Sequence, residues 1–441
     1  MFCQLETLRH CLPPSVQRTL DELPESLDET YERIIKGIKK PNRNHALRIL
    51  QCLVVATRPL QVEELAEVLA VDFDDAEGMP KLNVTWRWED QEQALLGSCS
   101  SLIAIVESNE TRIVQFSHFS VKEFLTSTRL ATSIGGVSNY YIALEPAHII
   151  LAQACMSILL RSDDRAEECD VTNNSPLAKY AAEHWVAHVQ LGKAPSCLRK
   201  SMESLFDADK PYFDSWVQLH DIDTDSPESP FHPFTPFLKS QATPLYYAAL
   251  CGFQDLVEHL IAHNPEHINA TGGYYVAPLI VALKAGHSRT AKFLRDNGAH
   301  PNVTGYGART PLLAAAWSGD FKMVQVLLEY QANVNARNAD DETPLHFKYP
   351  YYSGRPNVRS SLPKVARLLL EHGADVNALG SNRFTPLHFA VQYGTVEFVR
   401  VLLEHGADIG AETKDGETAF QFVGGEEGTE IKKLLSVYRA R

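Results

Sequence analysis

The most constraining feature of the sequence is a short motif that recurs at a nearly constant spacing. The motif is Thr-Pro-Leu, and two copies extend it to Thr-Pro-Leu-His; complete or degenerate copies begin at Thr243, Ala277, Thr310, Thr343, Thr385 and Thr418. Successive copies begin 34, 33, 33, 42 and 33 residues apart. A period of this length indicates one supersecondary unit that is stacked many times, because a single unit cannot bury its apolar side alone.

The residue types inside each copy predict a pair of helices. Threonine caps the first helix, and proline fits its first turn, where a missing N–H costs nothing. A leucine then faces the stack, and a glycine suits the turn between the helices, where a positive φ is often needed. Apolar pairs such as Leu327-Leu328 and Leu402-Leu403 mark the second helix. A period near 33 that opens on Thr-Pro-Leu-His resembles the ankyrin repeat. The resemblance implies about six repeats over residues 240–441.

In ankyrin-like stacks, extended fingers and first helices line a concave face, and partners bind through the letters that differ between copies. On that mapping, we expect the partner-binding residues to be Tyr306, Arg309, Arg337, Asp340, Asp341, Arg383, Phe384 and Lys414 on the fingers, with Lys284, Trp317, Ser318, Gln392 and Tyr393 on the first helices. Exposed Trp, Tyr and Arg dominate binding hot spots, so Trp317 is the first of these to test. The alternative is that Trp317 fills a gap between neighbouring copies.

Two segments interrupt the regular pattern. The fourth copy is nine residues longer than its neighbours, and the extra residues fall near 349–361, between its two helices. We interpret them as a surface loop, which is either a contact loop rich in Tyr and Arg or a site that tolerates insertion. Residues 221–239 are rich in Pro and in acidic and hydroxyl side chains, which predicts a linker before the array.

Residues 41–130 predict a small winged-helix domain. Three helical segments, "HALRILQCLVVA", "QVEELAEVLAV" and "DQEQALLGSC", precede two apolar strands separated at Asn109, and Ser120 is the expected cap of a further helix. Winged helices commonly bind DNA. Here the third helix begins among Glu89, Asp90 and Glu92, which would repel phosphate, so we favour a packing role.

Three further stretches carry a wider resemblance, namely "CQLETLRHCLPPSVQRTLDELPESLDETYERI", "RPLQVEELAEVLAVDFD" and "VQFSHFSVKEFLTS". They are similar to the region that follows the NTPase module in fungal NACHT–ankyrin proteins of the STAND class, which are NLR-like signalling proteins. The resemblance implies a helical remnant at 1–40, the winged-helix domain, a helical connector at 131–220 and a sensing array. No Gly-x-x-x-x-Gly-Lys-Ser/Thr loop occurs in the sequence, so no nucleotide-binding residue is carried over and no cofactor is expected. We expect a truncated product, a partial gene model or a stand-alone paralogue.

Composition narrows the function classes. The 441 residues carry a formal charge of −14, which disfavours broad attraction to nucleic acid. No stretch approaches the roughly 20 apolar residues of a membrane helix. The first residues lack the apolar core of a signal peptide, and the eight cysteines form no Cys-x-x-Cys pair. We therefore expect free thiols and an intracellular, cytoplasmic location without membrane contact.

Catalytic and metal-binding motifs are weak. His184 and His188 lie four residues apart, as zinc ligands can, but the Glu that a metalloprotease needs after the first His is replaced by Trp185. His259, His263 and His267 invite the same idea, but Pro265 interrupts their helical register. We expect no catalytic residue, no metal ligand and no enzyme activity.

The sequence thus predicts a mainly α protein, in which a winged-helix domain and a helical connector precede an ankyrin-repeat solenoid. The expected function is to bind a protein partner through the concave face, in NLR-like signalling. Two alternatives stay open: the sensor half of an ATP-dependent STAND switch, and a winged-helix regulator that binds nucleic acid. Homo-oligomerisation and association with an NTPase-containing chain are also left open.

Overall fold

The structure is a computed structural model. It describes residues 26–73, 80–108, 111–133, 136–161, 175–193, 195–223, 242–273, 275–305, 309–347, 356–393, 395–424 and 427–439. Residues 1–25 of the expected N-terminal remnant, most of the expected linker and the first part of the insertion lie outside this range. The chain divides into two compact units, Met1–Ile222 and Asp223–Arg441. None of the described helices combines the length and apolar character required to cross a bilayer.

The first unit contains ten described helices and two small sheets. Its helices are α1 Leu27–Gly37, α2 Arg43–Val55, α3 Val62–Val68, α4 Gln91–Cys99, α5 Phe119–Leu125, α6 Thr128–Ala131, α7 Leu144–Leu159, α8 Ala178–Gly192, α9 Pro195–Leu205 and α10 Tyr212–Leu219. Its strands are β1 Leu60–Gln61, β2 Val71–Asp72, β3 Lys81–Leu82, β4 Ile103–Ser108 and β5 Thr111–Phe116.

The predicted winged helix is confirmed as α2, α3 and α4 followed by an antiparallel hairpin. Strands β4 and β5 pair from Ile103 opposite Phe116 to Ser108 opposite Thr111. Strand β1 adds to the outer side of β5, so the sheet order is β1-β5-β4. The fold forms because one apolar side chain from each helix, Leu50, Leu65 and Leu95, is fully buried.

The start of α5 differs from the expectation that Ser120 caps it. Phe119 is already helical, and the ring nitrogen Nδ1 of His118 accepts the N–H of Ser120 at 3.3 Å. The Ser120 hydroxyl instead contacts the Tyr31 hydroxyl of α1 at 2.8 Å. The Ser120 hydroxyl is thus engaged in a long-range contact, and the preceding histidine caps the helix.

The helical connector packs on the winged helix through a buried carboxylate. Glu67 of α3 is only 3% exposed. It accepts hydrogen bonds from the Ser175 hydroxyl at 2.6 Å and from the Leu177 amide at 2.9 Å, and it also pairs with Arg87. Leu177 precedes α8, so the carboxylate lies at a helix N-terminus, where negative charge is favourable.

The second unit is the repeat array. Its helices are α11 Pro244–Cys251, α12 Gln254–His263, α13 Pro278–Lys284, α14 Ser288–Asp296, α15 Pro311–Trp317, α16 Phe321–Glu329, α17 Pro356–Glu371, α18 Pro386–Tyr393, α19 Val396–Glu404 and α20 Gly428–Arg439. In the last copy a 3₁₀ turn at Ala419–Phe422 stands in place of the first helix.

The predicted burial of the motif leucines is confirmed, and the predicted threonine cap is confirmed in the first and third copies. The leucines at 245, 312, 345 and 387 are at most 1% exposed. The Thr243 and Thr310 side chains accept the amides of Tyr246 and Leu313, three residues ahead. Gly252 and Gly319 have φ values of 71° and 69°, the left-handed conformation that the inter-helix turn requires. The first, second, third and fifth copies are therefore helix pairs whose apolar side is covered by their neighbours, whereas no helix is assigned at residues 343–347 of the fourth copy.

The insertion in the fourth copy is not a loop throughout. From Pro356 onward it is helical and lengthens α17 to 16 residues, compared with 9 in α14, α16 and α19. The residues around Tyr349 to Arg355 lie outside the described part of the chain. The expectation of a surface loop is therefore wrong for its C-terminal portion, where the helix simply begins earlier.

Truncating Leu327 tests the stacking directly. Leu327 of α16 is fully buried, so Leu327→Ala is expected to reduce the opening free energy of α16 by about 2–5 kcal/mol. Hydrogen exchange of the α16 amides in the full chain measures this locally. The neighbouring, exposed Gln325 supplies the control, Gln325→Ala. An equally small effect of both substitutions would contradict the stacking.

Candidate partner-binding surface

Asparagine side chains join the bases of successive fingers. Asn335 donates to the carbonyl of Gly373 at 3.1 Å and accepts the amide of Asp375 at 2.8 Å. Asn377 makes the same two contacts with Gly406 and Asp408, one copy later. Because one amide side chain holds two backbone groups of the next copy, the fingers keep a fixed spacing.

The fourth residue of the motif reaches from its own copy to the next finger. His346 accepts the Thr343 amide at Nδ1 at 3.0 Å, and its Nε2 donates to the carbonyls of Ala378 and Phe384 at 3.1 and 3.2 Å. His388 repeats this pattern toward Glu417 at 3.4 Å. The repeat motif alone predicts no role for these histidines. Their recurrence after Thr-Pro-Leu is the sequence signal that could have revealed it.

In the first copy a tyrosine takes the place of this histidine. The Tyr246 hydroxyl accepts the Tyr275 amide of the next finger at 3.0 Å and donates to Asp223 at 2.8 Å. Tyr246 is buried, and burial raises the pKa of its hydroxyl well above the usual value, with Asp223 adding to the shift. The hydroxyl therefore stays protonated and available as the donor to Asp223.

The later fingers are also joined near their tips. The amide and hydroxyl of Ser381 both donate to the carbonyl of Asp340, at 3.0 and 2.7 Å. The Lys414 amide donates to the carbonyl of Asn382 at 2.9 Å, so three consecutive fingers are connected. Backbone groups make most of these bonds, which leaves the side chains at the tips free to vary.

Several tip residues adopt a left-handed backbone that favours glycine. Asp341, Asn382 and Arg383 have φ values of 58°, 55° and 61°. Such a conformation is uncommon in other residues and carries a modest cost when it is held in place. The bonds between the fingers hold these tips, so the backbone at Arg383 keeps this conformation.

The candidate residues fall into two groups. Asp340, Asp341, Arg383 and Lys414 are exposed, and Gln392 and Tyr393 at the end of α18 are half-buried. Among the described residues, no ion pair and no side-chain hydrogen bond engages the charged ends of Asp341, Arg383 and Lys414. We call Asp341, Arg383, Gln392, Tyr393 and Lys414 the finger surface. The residues of the finger surface lie in the third, fourth and fifth copies.

The second group is engaged inside the array. The Lys284 ammonium pairs with Asp320 at 2.7 Å. The Arg337 guanidinium donates to the carbonyls of Asp341 and Leu379 at 2.8 and 2.7 Å. Phe384 packs against His388, Phe389 and Phe422, with ring centroids 5.0–5.5 Å apart, and the Ser318 hydroxyl donates to Ala315. Sequence reasoning missed these contacts because each partner lies in a different turn or copy.

Trp317 is buried, contrary to the expectation of an exposed anchor. Only 8% of it is exposed, and the Arg309 guanidinium lies 5.5 Å from its ring centroid. The burial agrees with the alternative interpretation, that Trp317 fills space between copies. Arg309 is half-buried, and Tyr306 lies outside the described residues.

The arginine of the hairpin is paired with carboxylates. Arg112 on β5 donates to Glu63 at 2.7 Å and to Glu92 of α4 at 2.9 Å. Two carboxylates thus offset the cation of the wing, and Glu89 and Asp90 at the start of α4 are exposed. This arrangement would weaken phosphate contact, which needs unpaired cations.

The histidine pair at 184 and 188 belongs to the packing of α7 against α8. His188 is fully buried; its Nδ1 lies 2.8 Å from Nδ1 of His148, and its Nε2 lies 2.9 Å from the Tyr180 hydroxyl. Burial lowers the pKa of His188 to about 3, helped by the neighbouring His148 and His184, so its ring is neutral. Within the described ranges, no group of three His, Cys, Asp or Glu side chains is arranged to hold a metal ion.

Comparisons with known proteins match a winged-helix family to the N-terminal part of the chain and ankyrin-repeat families to the C-terminal part. Residues 31–135 match the family described as GPI inositol-deacylase, winged helix domain. Residues 232–305, 279–348 and 369–423 match families of ankyrin repeats. The chain is also 30% identical over 293 residues to the azaphilone pigments biosynthesis cluster protein L of Monascus ruber. The aligned part is 64% of this chain and 61% of that protein, so the chain spans less than two thirds of that relative.

An N-terminal winged helix and C-terminal ankyrin repeats are therefore present, as the sequence predicted. Ankyrin repeats support a role in binding other proteins, and they suggest a scaffold without catalysis.

We expect acid to lower the stability of the array because His346 becomes protonated. Burial lowers its folded pKa to about 4, below the ordinary value of 6.5. The stability it contributes is thus complete above about pH 6.5 and is lost as the pH falls toward about 4, by up to about 3 kcal/mol. Scanning calorimetry of the full chain across this range measures the loss. His346→Gln should flatten the pH dependence, whereas the exposed-site control His372→Gln should not. Equal pH dependence in all three proteins would refute the assignment.

Proposed function

We propose that this protein is a non-catalytic scaffold that binds a protein partner through the finger surface of its ankyrin array. The single observation that carries the proposal is the contrast at the finger tips. Their backbone is held by hydrogen bonds from Ser381 and Lys414 to the preceding fingers, while the charged ends of Asp341, Arg383 and Lys414 are exposed. A backbone that is already held lowers the ordering cost of binding.

The chemistry of the finger surface suits a polar protein surface. Arg383 and Lys414 present two cations on consecutive fingers, and Asp341 presents an anion on the finger before them. Opposite charges on a partner would fix its register along the array, since complementary charges mainly determine specificity and association rate. Tyr393 and Gln392 add an aromatic ring and an amide at the adjacent helix, types that suit an interface.

Most of the remaining candidates are engaged in contacts within the array. Arg337, Phe384, Lys284 and Ser318 hold the backbone or pack the copies, and Trp317 with Arg309 fills the region between them. Substituting any of these would alter binding by moving the fingers. We therefore assign direct contact to the finger surface and a supporting role to the others.

The finer role that we propose is signalling, as in NLR-like proteins of the NACHT–ankyrin type. Its support is the order of the domains, a winged helix followed by ankyrin repeats, together with the resemblance of the N-terminal stretches. In that setting the array would sense a partner for an ATP-dependent STAND switch whose NTPase module lies in another segment or chain. The described residues supply the sensing part of such a switch.

Photo-cross-linking tests the finger surface with a matched pair of lysines. A photoreactive amino acid replaces Lys414 at a finger tip or Lys322, which is exposed on α16. We expect partner adducts from position 414 that are at least tenfold more abundant than those from position 322. Charge reversal by Lys414→Glu should lower partner recovery, and Lys322→Glu should not. Adducts that form mainly from position 322 would show that the partner binds the second helices instead.

A further inference from the structure

Two exposed tryptophans stand out on the winged-helix domain. Trp86 and Trp88 are 48% and 44% exposed, and Val84 beside them is 44% exposed. The other three tryptophans, Trp185, Trp216 and Trp317, are at most 8% exposed. A large aromatic side chain that could have been buried is informative when it lies on the surface, and adjacent ones mark interaction sites.

The local backbone directs both indoles outward. Trp86 ends a 3₁₀ turn at Val84–Trp86, and Arg87 follows in an extended conformation with φ −63° and ψ 132°. Arg87 points inward, where its guanidinium pairs with the buried Glu67. Successive side chains of an extended segment point to opposite sides, so the anchored Arg87 leaves Trp86 and Trp88 on the outer side.

The two indoles, Trp86 and Trp88, differ in their contacts. The Trp88 ring meets the His45 ring edge-on, with centroids 6.1 Å apart. Trp88 also borders a small cavity of about 90 Å³, together with Ala66 and Gln91. No ring contact of Trp86 is present among the described residues. The Trp88 ring is therefore held by a neighbouring ring, whereas the Trp86 ring has more freedom to adjust its orientation.

The charge beside the two rings is negative. Glu89 and Asp90 follow Trp88 directly and are both exposed. The Asp90 carboxylate accepts the amide of Gln93 at 2.9 Å, and within the described range Glu89 makes no ion pair or hydrogen bond. The nearest cation along the chain, Arg87, is offset by Glu67. The surface therefore repels phosphate backbones and anionic lipids and attracts cations.

We propose that Trp86, Trp88, Glu89 and Asp90 form a docking surface for a basic segment of a protein partner. An arginine or lysine of that segment lies over an indole face, where the cation is attracted by the ring, and its neighbours pair with the two carboxylates. Charge complementarity selects this occupant over a second copy of the chain, which is itself acidic at −14. This surface lies in the first unit and is independent of the finger surface.

A titration of the full chain with a defined peptide tests the proposal. The probe is a short Gly/Arg peptide, its acidic Gly/Glu counterpart is the control ligand, and calorimetry measures the affinity. Tryptophan fluorescence reports the location, because only Trp86 and Trp88 among the five tryptophans are exposed. We expect binding of the basic peptide alone, a fluorescence change, and weakening as salt is raised.

Matched variants separate this surface from general attraction to an acidic chain. Trp86→Ala should weaken binding about fivefold or more, whereas Phe119→Ala, which removes a 71% exposed ring from the same domain, should not. Glu89→Gln should weaken binding about two- to fivefold, and Glu107→Gln, which removes an exposed carboxylate of β4, should have little effect.

Four results of the peptide titration would overturn the proposal. They are no binding of the basic peptide at millimolar concentration, equal binding of the acidic peptide, equal losses in test and control variants, and unchanged binding in Trp86→Ala. If the chain alone dimerises and Trp86→Ala abolishes the dimer, the occupant is a second copy. If Trp86 is required for binding vesicles of anionic phospholipid, the occupant is a membrane, and the proposal also fails.

Discussion

Each helix pair of the array carries apolar side chains that its own two helices cannot cover. Leu312 and Leu327 are fully buried, as are Leu369 and Leu402 in later copies, because neighbouring copies close over them. Burial of a leucine stabilises by roughly 1.5–3 kcal/mol, so the stack gains with every added copy. The period near 33 residues follows from this constraint, since each copy must present the same apolar side to the next.

Stacking also determines where variation is permitted. Once the helix pairs are fixed, His346 and His388 reach the next finger, and the Asn335 and Asn377 amides hold the finger bases. These bonds use motif residues of the later copies together with backbone groups, and in the first copy Tyr246 takes the place of the histidine. The charged ends of Arg383 and Lys414 make no such bonds among the described residues, which is why we propose that they contact the partner. A similar arrangement occurs in the winged helix. Arg87 is held by its ion pair with Glu67, which leaves Trp86 and Trp88 on the surface.

Much of the architecture could be predicted because its signals are local. Caps, prolines and apolar spacing lie within one copy, and the three helices and hairpin of the winged helix have clear periodicity. Contacts between distant residues could not be predicted. Lys284 pairs with Asp320 of the next copy, Trp317 is buried, and Ser120 contacts Tyr31 instead of capping α5. The local sequence does not reveal the partner in any of these cases. The burial of the Glu67 carboxylate could not be predicted for the same reason, because the surrounding sequence is typical of a helix with a solvated face.

The central claim is that the fingers form one connected backbone surface. Amide hydrogen exchange at Ser381 and Lys414 tests it most directly, because these two amides donate to the neighbouring fingers. The account predicts that both exchange far more slowly than an unprotected peptide, and that they do so together with the amides of the adjacent helices. Exchange of either amide at the unprotected rate, while the helices remain protected, would contradict it.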